Sequence, residues 1–149
     1  MKRILALDVG DNTIGVAVSD ALSIIANGVT TIERVGIKKD TGKVIDYVRE
    51  FDCGTVVVGL PLNLNGTDRV RTEKVRAFKE KLENKLRSLA LQDVKVVFQD
   101  ERFTTKLAEQ VLIDGGVRRE NRKKYIDKQA AVLILQSYLD SLPHTEVTQ

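Results

Sequence analysis

Residues 4–18 read ILALDVGDNTIGVAV, and this stretch decides the fold. The apolar run Ile4–Leu7 predicts a β-strand covered on both faces, because a strand with one solvent face would alternate polar and apolar residues. Gly10–Thr13 predicts a turn, and Ile14–Val18 predicts a second strand. Asp8 therefore ends a buried strand, where a carboxylate is costly unless it is paired or binds a metal.

The rest of the chain alternates strands and helices. Apolar runs predict further strands at Val29–Ile32, Thr55–Val58 and Val94–Phe98. Apolar residues at helical spacing predict helices over Lys38–Phe51, about Asp68–Leu89, from Thr104 to Gly115-Gly116, and Ile126–Leu142. This order predicts an α/β fold, a five-stranded mixed sheet with helices on both faces. We expect one domain over residues 1–149, with a mobile tail at 143–149.

The composition excludes several classes of chemistry. With 42% apolar and 30% charged residues among 149, the chain has the make-up of an ordinary globular protein. Cys53 and His144 are its single cysteine and histidine, so Ser-His-Asp, Cys-His and His-rich metal sites are excluded unless a partner supplies them. No apolar run reaches the roughly 18–20 residues of a membrane helix, and the first run is too short for a signal peptide. We expect a cytoplasmic protein without membrane contacts.

Positive charge is concentrated in two segments, although the net charge is only +3. The basic loop Arg118–Lys124 has five cations and one anion, and Arg69–Arg87 has eight cations and three anions. Such segments indicate an anionic partner on one face. On charge alone, a solvated helix face and a charged loop explain them better.

Acidic residues lie at the ends of three separate elements. Besides Asp8, the triplet Asp100-Glu101-Arg102 follows the fifth strand, and Asp127 lies in the first turn of the last helix. Each has an ordinary local explanation when taken alone: a turn cap for Asp8, a Glu–Arg pair for Glu101, and the helix dipole for Asp127.

Taken together, the three acids indicate metal-dependent phosphodiester chemistry, which needs neither His nor Cys. Carboxylates from separate elements can converge on one or two Mg²⁺ ions. Two ions about 3.5–4 Å apart can activate a water and stabilise the leaving oxygen of a phosphodiester. Basic segments nearby would hold the flanking phosphates.

Four separated motifs cover nearly the whole chain. They are Asp8-Val9-Gly10 with Ile14–Asp20, Val58-Gly59-Leu60-Pro61 with Gly66-Thr67, Asp100–Thr105, and Ile126–Ala131. In sequence and order these motifs resemble the YqgF family. That family consists of bacterial RNase H-like proteins, long called Holliday-junction resolvases and now interpreted as nucleases that process the 5′ end of pre-16S ribosomal RNA.

The resemblance implies an RNase H-like fold and a hydrolase, an endo- or exonuclease that depends on Mg²⁺ or Mn²⁺. It assigns the catalytic and metal-binding roles to Asp8, Glu101 and Asp127, the acids that their placement also selects. We expect a nucleic-acid partner, with pre-rRNA favoured over branched DNA. The residues expected to grip its backbone are Arg102, Arg118, Arg119, Arg122, Lys123 and Lys124.

Three alternatives remain open from the sequence. A Holliday-junction resolvase would need paired active sites and hence a homodimer, whereas an rRNA nuclease could act as a monomer. A nucleic-acid-binding module of ribosome assembly would use the basic segments without catalysis. A sugar-kinase or chaperone-like ATPase also begins with Asp-x-Gly after a strand, but such proteins close two domains on a nucleotide and 149 residues supply one.

Overall fold

The computed structural model describes residues 2–60, 66–100 and 119–143, with side chains described in these ranges except at 66–69, 100 and 119–127. The strands are β1 (Arg3–Val9), β2 (Thr13–Ser19), β3 (Ala26–Glu33), β4 (Cys53–Leu60) and β5 (Lys95–Asp100). They form one sheet in the order β3-β2-β1-β4-β5. β2 pairs antiparallel with β1 and β3, whereas β4 pairs parallel with β1 and β5. The predicted five-stranded mixed sheet is confirmed.

Helices cover both faces of this sheet. Within the described residues they are α1 (Ile37–Glu50), α2 (Gly66–Ser88) and α3 (Arg119–Asp140). One apolar cluster joins α1 and α2 to Leu5 and Leu7 of β1, and a second joins α3 to Ile4 and Ala6. Because successive side chains of a strand point to opposite faces, the continuous apolar run of β1 serves both clusters. The predicted helical layers on both faces are confirmed.

Small side chains allow α3 to lie close to the sheet. Ala6 of β1 pairs with Ala17 of β2, and both are fully buried in the cluster that contains Ala131 of α3. Larger apolar residues farther along α3, such as Leu135 and Leu139, complete that cluster. Burial of each such leucine contributes about 1.5–3 kcal/mol relative to an exposed one. α3 is therefore fixed over β1 and β2 by packing.

Two element boundaries differ from the sequence-based expectation by more than two residues. α3 begins at Arg119 rather than Ile126, so residues 119–124 of the predicted basic loop are helical. Arg, Lys and Glu are good helix formers, but they give no apolar stripe to detect. β3 begins at Ala26 rather than Val29. The sequence does not predict these first residues, because this part of the edge strand is largely exposed and has no apolar pattern.

Several predicted elements lie outside the described residues. These are the helix from Thr104 to Gly115-Gly116 and all of the expected tail after Pro143. Among the helices that are described, none is long and apolar enough to cross a membrane.

Candidate active site

Three parallel strands end at one edge of the sheet, and Asp8 lies at that edge. Leu7 of β1 pairs with Val58 of β4, and Val58 pairs with Phe98 of β5. Asp8 follows Leu7 directly, and β5 ends two residues after Phe98, at Asp100. Because open α/β sheets bind ligands at the carboxyl ends of their strands, this edge is the candidate active site.

Asp8 is a buried carboxylate, with only 4% of its surface exposed. Strand alternation places it on the sheet face of Ile4 and Ala6, the face that α3 covers. Across the sheet it is paired with Gly15 of β2, which has no side chain to crowd it. A buried carboxylate needs a positive partner, so the surroundings of Asp8 decide what it can do.

Arg71 of α2 is such a partner. Its Nη2 lies 3.3 Å from Asp8 Oδ1, and 37% of the Arg71 side chain is exposed. In the sequence, Arg71 stands out only as one cation of the basic segment Arg69–Arg87, and nothing there assigns it to the site. The two residues are 63 positions apart, and no local pattern connects them.

The backbone of Asp127 lies in α3, on the helix that covers the face of Asp8. The next residue, Lys128, lies over Gly28 of β3 so closely that a Cβ at Gly28 would be 2.5 Å from Lys128 Cε. Gly28 pairs with Ala17 of β2. α3 therefore lies over β3 at Lys128, and three residues later, at Ala131, it joins the apolar cluster of Ile4 and Ala6 of β1. The Asp127 side chain is not among those described.

The remaining expected residues fall into two groups. Glu101, Arg102 and Arg118 lie outside the described residues, with Glu101 next in sequence to the end of β5. The other expected nucleic-acid contacts lie in the first turns of α3, where only the backbone is described: Arg119, Arg122, Lys123 and Lys124. At 1.5 Å per residue, these helical positions all lie within about 12 Å of Asp127 along the axis.

The turn between β1 and β2 is held from two sides. On one side, Lys74 Nζ of α2 lies 3.1 Å from Asp11 Oδ1, an exposed ion pair. On the other side, Arg34 Nη1 donates a 2.8 Å hydrogen bond to the carbonyl oxygen of Gly10. Gly10 is two residues from Asp8, so the Arg34 bond fixes the chain that leaves the candidate site, whereas the exposed Lys74–Asp11 pair adds little.

Arg34 is itself locked by a second buried carboxylate, Asp40 of α1. Arg34 Nε lies 2.9 Å from Asp40 Oδ2, the Val35 N–H donates a 3.0 Å bond to Oδ1, and the guanidinium lies over the Phe78 ring. Burial alone would raise the pKa of Asp40, but these donors outweigh it and hold the pKa below its ordinary value. The sequence does not predict this network, because a single Asp within a helical stripe gives no signal of burial.

Two further side chains have structural roles that keep them out of the chemistry. Burial raises the pKa of the Cys53 thiol to about 11, so it stays protonated at neutral pH and is a poor nucleophile. Asp20 Oδ1 accepts backbone hydrogen bonds from Ile24 at 2.7 Å and Ile25 at 3.0 Å, and these bonds lower its pKa. Asp20 thus orders the turn between β2 and β3.

The part of the site that is described fits a hard divalent cation. Among the described side chains no three His, Cys, Asp or Glu residues are grouped to hold a metal, and two of the three expected ligands, Glu101 and Asp127, are not in that set. Asp8 offers carboxylate oxygen, the ligand that Mg²⁺ and Mn²⁺ prefer. Its Oδ1 already faces a positive group, the Arg71 guanidinium. Burial and ligand type suit a cation here, whereas the Arg71 guanidinium already lies against one oxygen of the carboxylate.

Comparison with known proteins gives matches over nearly the whole chain. A family model described as "RuvX: Holliday junction resolvase" matches residues 2–141. A protein of Caldanaerobacter subterraneus subsp. tengcongensis, named "Putative pre-16S rRNA nuclease", is 51% identical over 140 residues, covering 93% of this chain and 96% of the relative. A protein of the same name from Lactococcus lactis subsp. cremoris is 48% identical over 141 residues, covering 93% and 94%.

Solved structures share the fold. Thermus thermophilus RuvC in complex with a Holliday junction substrate superposes with a TM-score of 0.57 at 12% identity, covering 99% of this chain and 96% of that one. The yeast mitochondrial Holliday junction resolvase gives 0.57 at 12% identity, covering 93% and 78%. At such low identity the likeness shows the architecture, and the predicted RNase H-like fold is confirmed.

Proposed function

Because this chain belongs to the RuvX family, which is the same family as the YqgF proteins that its motifs resemble, we propose that it is a nuclease that hydrolyses phosphodiester bonds in structured nucleic acid. We take pre-16S rRNA as its substrate, after the names of its curated relatives, with cleavage at the 5′ end. The observation that carries the proposal is Asp8, a buried carboxylate at the carboxyl edge of a central strand. The reaction would take place in the cytoplasm, where bacterial ribosomes are assembled.

We infer that Asp8, Glu101 and Asp127 hold Mg²⁺ or Mn²⁺. The support is the shared edge of β1 and β5, which brings Asp8 near the strand end that leads into Glu101, together with the passage of α3 over the face of Asp8. A divalent cation bound there would supply an activated water and stabilise the leaving oxygen. Asp8 would bind the cation from the centre of the sheet, and Glu101 and Asp127 would complete the ligand set.

The proposed RNA contacts extend from this site along α3. Arg119, Arg122, Lys123 and Lys124 would neutralise backbone phosphates, with Arg102 and Arg118 as further contacts. Phosphate contacts position a substrate without reading its sequence, so recognition would depend on RNA shape. A single chain carries one such site, so a monomer suffices for rRNA processing.

The test is a cleavage assay with a precursor small-subunit rRNA fragment in Mg²⁺, in Mn²⁺ and in EDTA, using the wild type, Asp8→Asn and Asp11→Asn. We expect metal-dependent cutting that falls at least about 10³-fold in Asp8→Asn, since several kcal/mol of transition-state stabilisation depend on the metal. Asp11→Asn is the matched control, because Asp11 lies in the same hairpin but is exposed and paired with Lys74. It should cut at the wild-type rate.

RNA binding separates the catalytic role of Asp8 from a structural one. In a filter-binding or anisotropy assay, Asp8→Asn should retain RNA binding while losing cleavage. Cleavage by Asp8→Asn at the wild-type rate would refute the site assignment. Binding by the wild type without cleavage in either metal would favour the binding-module alternative.

A second candidate is resolution of four-way DNA junctions, favoured by the description of the matching family model. Two cuts across a symmetric junction require two sites, and hence a dimer related by a two-fold axis. A synthetic junction assayed beside the rRNA fragment, with the oligomeric state measured by light scattering, decides between them. Junction cutting by a dimer, without RNA cutting, would replace the rRNA proposal.

A further inference from the structure

The ion pair between Asp8 and Arg71 has a role of its own in the candidate site. We propose that Arg71 is a positioning residue that neutralises Asp8 and competes with the divalent cation for Asp8 Oδ1. This inference rests on the proposed function, because it takes Asp8 as a metal ligand. It adds a residue of α2 to a site whose expected residues all come from β1, the segment after β5, and α3.

The competition follows from the atoms involved. Arg71 Nη2 lies 3.3 Å from Oδ1, the oxygen of Asp8 that the guanidinium faces. A Mg²⁺ or Mn²⁺ ion bound to that oxygen at about 2.1 Å would lie within a few ångströms of the guanidinium. Two cations so close repel each other strongly in a buried site, where screening by water is weak. Either the cation binds weakly or the arginine moves away.

Arg71 is held less tightly to Asp8 than Arg34 is to Asp40. Its side chain is 37% exposed, so the guanidinium can turn into water without losing all of its solvation. Its 3.3 Å contact with Asp8 is also longer than a typical charge-assisted hydrogen bond, which spans about 2.7–2.9 Å. The Arg34–Asp40 pair, at 2.9 Å with Arg34 only 18% exposed, has the opposite properties. The contact between Asp8 and Arg71 is thus the looser and more exposed of the two.

Lys74 provides a matched control on the same helix, one turn from Arg71. It pairs with Asp11, whose side chain is 70% exposed, at 3.1 Å. Loss of the Lys74 charge removes one positive group from α2 but keeps the contact between Arg71 and Asp8 Oδ1. A general electrostatic effect of α2 on cation binding would be the same for both residues, whereas direct competition would be specific to Arg71.

The experiment is calorimetric titration of Mn²⁺ into the full-length wild type, Arg71→Gln, Lys74→Gln and Asp8→Asn, without nucleic acid. We expect Arg71→Gln to bind Mn²⁺ about 5- to 50-fold more tightly than the wild type, in the usual range for coupling between two ligands. Lys74→Gln should differ from the wild type by less than about twofold. Asp8→Asn should lose this binding event.

Thermal unfolding gives a second readout that does not require activity. Without metal, Arg71→Gln should melt at a lower temperature than the wild type, because the buried Asp8 carboxylate loses a positive neighbour. Saturating Mn²⁺ should then raise its melting temperature by more than that of the wild type. If Arg71→Gln does not fold, Arg71→Met, which keeps the apolar stem without the charge, takes its place in both measurements.

The outcomes distinguish this inference from the proposed function. Mn²⁺ binding that Asp8→Asn abolishes, but that Arg71→Gln leaves unchanged or weakens, would overturn the competition and leave the nuclease site intact. No Mn²⁺ binding by either the wild type or Arg71→Gln, or binding that Asp8→Asn does not affect, would contradict both. An equal gain in Mn²⁺ affinity in Arg71→Gln and Lys74→Gln would mean that Arg71 acts only through the general positive charge of α2, which would also overturn the proposal.

Discussion

Asp8 and Asp40 are both buried aspartates beside α2, but they are held in different ways. Asp40 is fully buried and receives the Arg34 guanidinium at 2.9 Å and the Val35 N–H at 3.0 Å. Asp8 is 4% exposed and meets Arg71 at 3.3 Å. The partner of Asp40 is itself held by the Gly10 carbonyl and the Phe78 ring, whereas the partner of Asp8 is partly in solvent.

The difference suits Asp40 to a role in the stability of the fold, and it agrees with the chemical role that we propose for Asp8. A buried ion pair whose partners are all fixed contributes order, and removal of one member leaves an uncompensated charge. A buried carboxylate with a looser and partly exposed partner, such as Asp8, is the kind that we propose to bind a metal cation. Arg34 connects the two regions, because it binds Asp40 on one side and the turn after Asp8 on the other.

The largest effect on stability is expected for Arg34→Ala. This change leaves Asp40 buried without its guanidinium and removes the donor to the Gly10 carbonyl, so the free energy of unfolding should fall by about 3–5 kcal/mol. Urea unfolding followed by circular dichroism measures it. Lys74→Ala is the control, because an exposed pair contributes about 0–1 kcal/mol. Losses of similar size in both variants would contradict the distinction between locked and exposed pairs.

Substitution of each aspartate by asparagine should lower the free energy of unfolding by different, smaller amounts. Asp40→Asn keeps the shape but weakens the charge-assisted bonds from Arg34 and Val35, at a cost of about 2 kcal/mol. Asp8→Asn removes a buried charge whose partner can be solvated, so its free energy of unfolding should stay within about 1 kcal/mol of the wild type. Denaturation of both variants under one set of conditions gives the comparison. A larger loss in Asp8→Asn than in Asp40→Asn would reverse the assignment of roles.

The sequence predicts the strands and the helical layers well, because both follow from local patterns. The continuous apolar run of β1 requires cover on both faces, and the structure provides α1 and α2 on one side and α3 on the other. The predicted boundaries are wrong where the sequence has no apolar periodicity, as in the charged first turns of α3.

The candidate site is predicted only in part, for the same physical reason. Asp8 can be identified because a carboxylate that ends an apolar strand is conspicuous. Arg71 and Arg34 cannot, since they reach the site from positions 63 and 24 residues away from their partners Asp8 and Gly10. Such contacts depend on how α2 and the end of β3 pack on the hairpin, which no local pattern encodes. The catalytic and metal-binding roles of Asp8, Glu101 and Asp127 all remain predictions.

The smallest expected effect is on the pH dependence of stability, which tests the ion pair between Asp40 and Arg34. Burial would raise the pKa of Asp40, but the Val35 N–H and the Arg34 guanidinium lower it below its ordinary value. A carboxyl whose pKa is lower when folded stabilises the protein above the unfolded pKa, about 3.9, and loses that contribution as pH falls through the folded pKa. Asp40→Asn cannot titrate and lacks this contribution.

The free energies of unfolding of the wild type and Asp40→Asn should therefore converge as the pH is lowered from about 5 towards 2. Asp20, whose pKa is also lowered by backbone hydrogen bonds, titrates in both proteins and cancels in the difference. Urea titrations at several pH values in this range measure the gap. A gap that stays constant would mean that Asp40 stabilises the fold through its shape and neutral hydrogen bonds. The locked ion pair with Arg34 would then contribute no more than a pair in solvent.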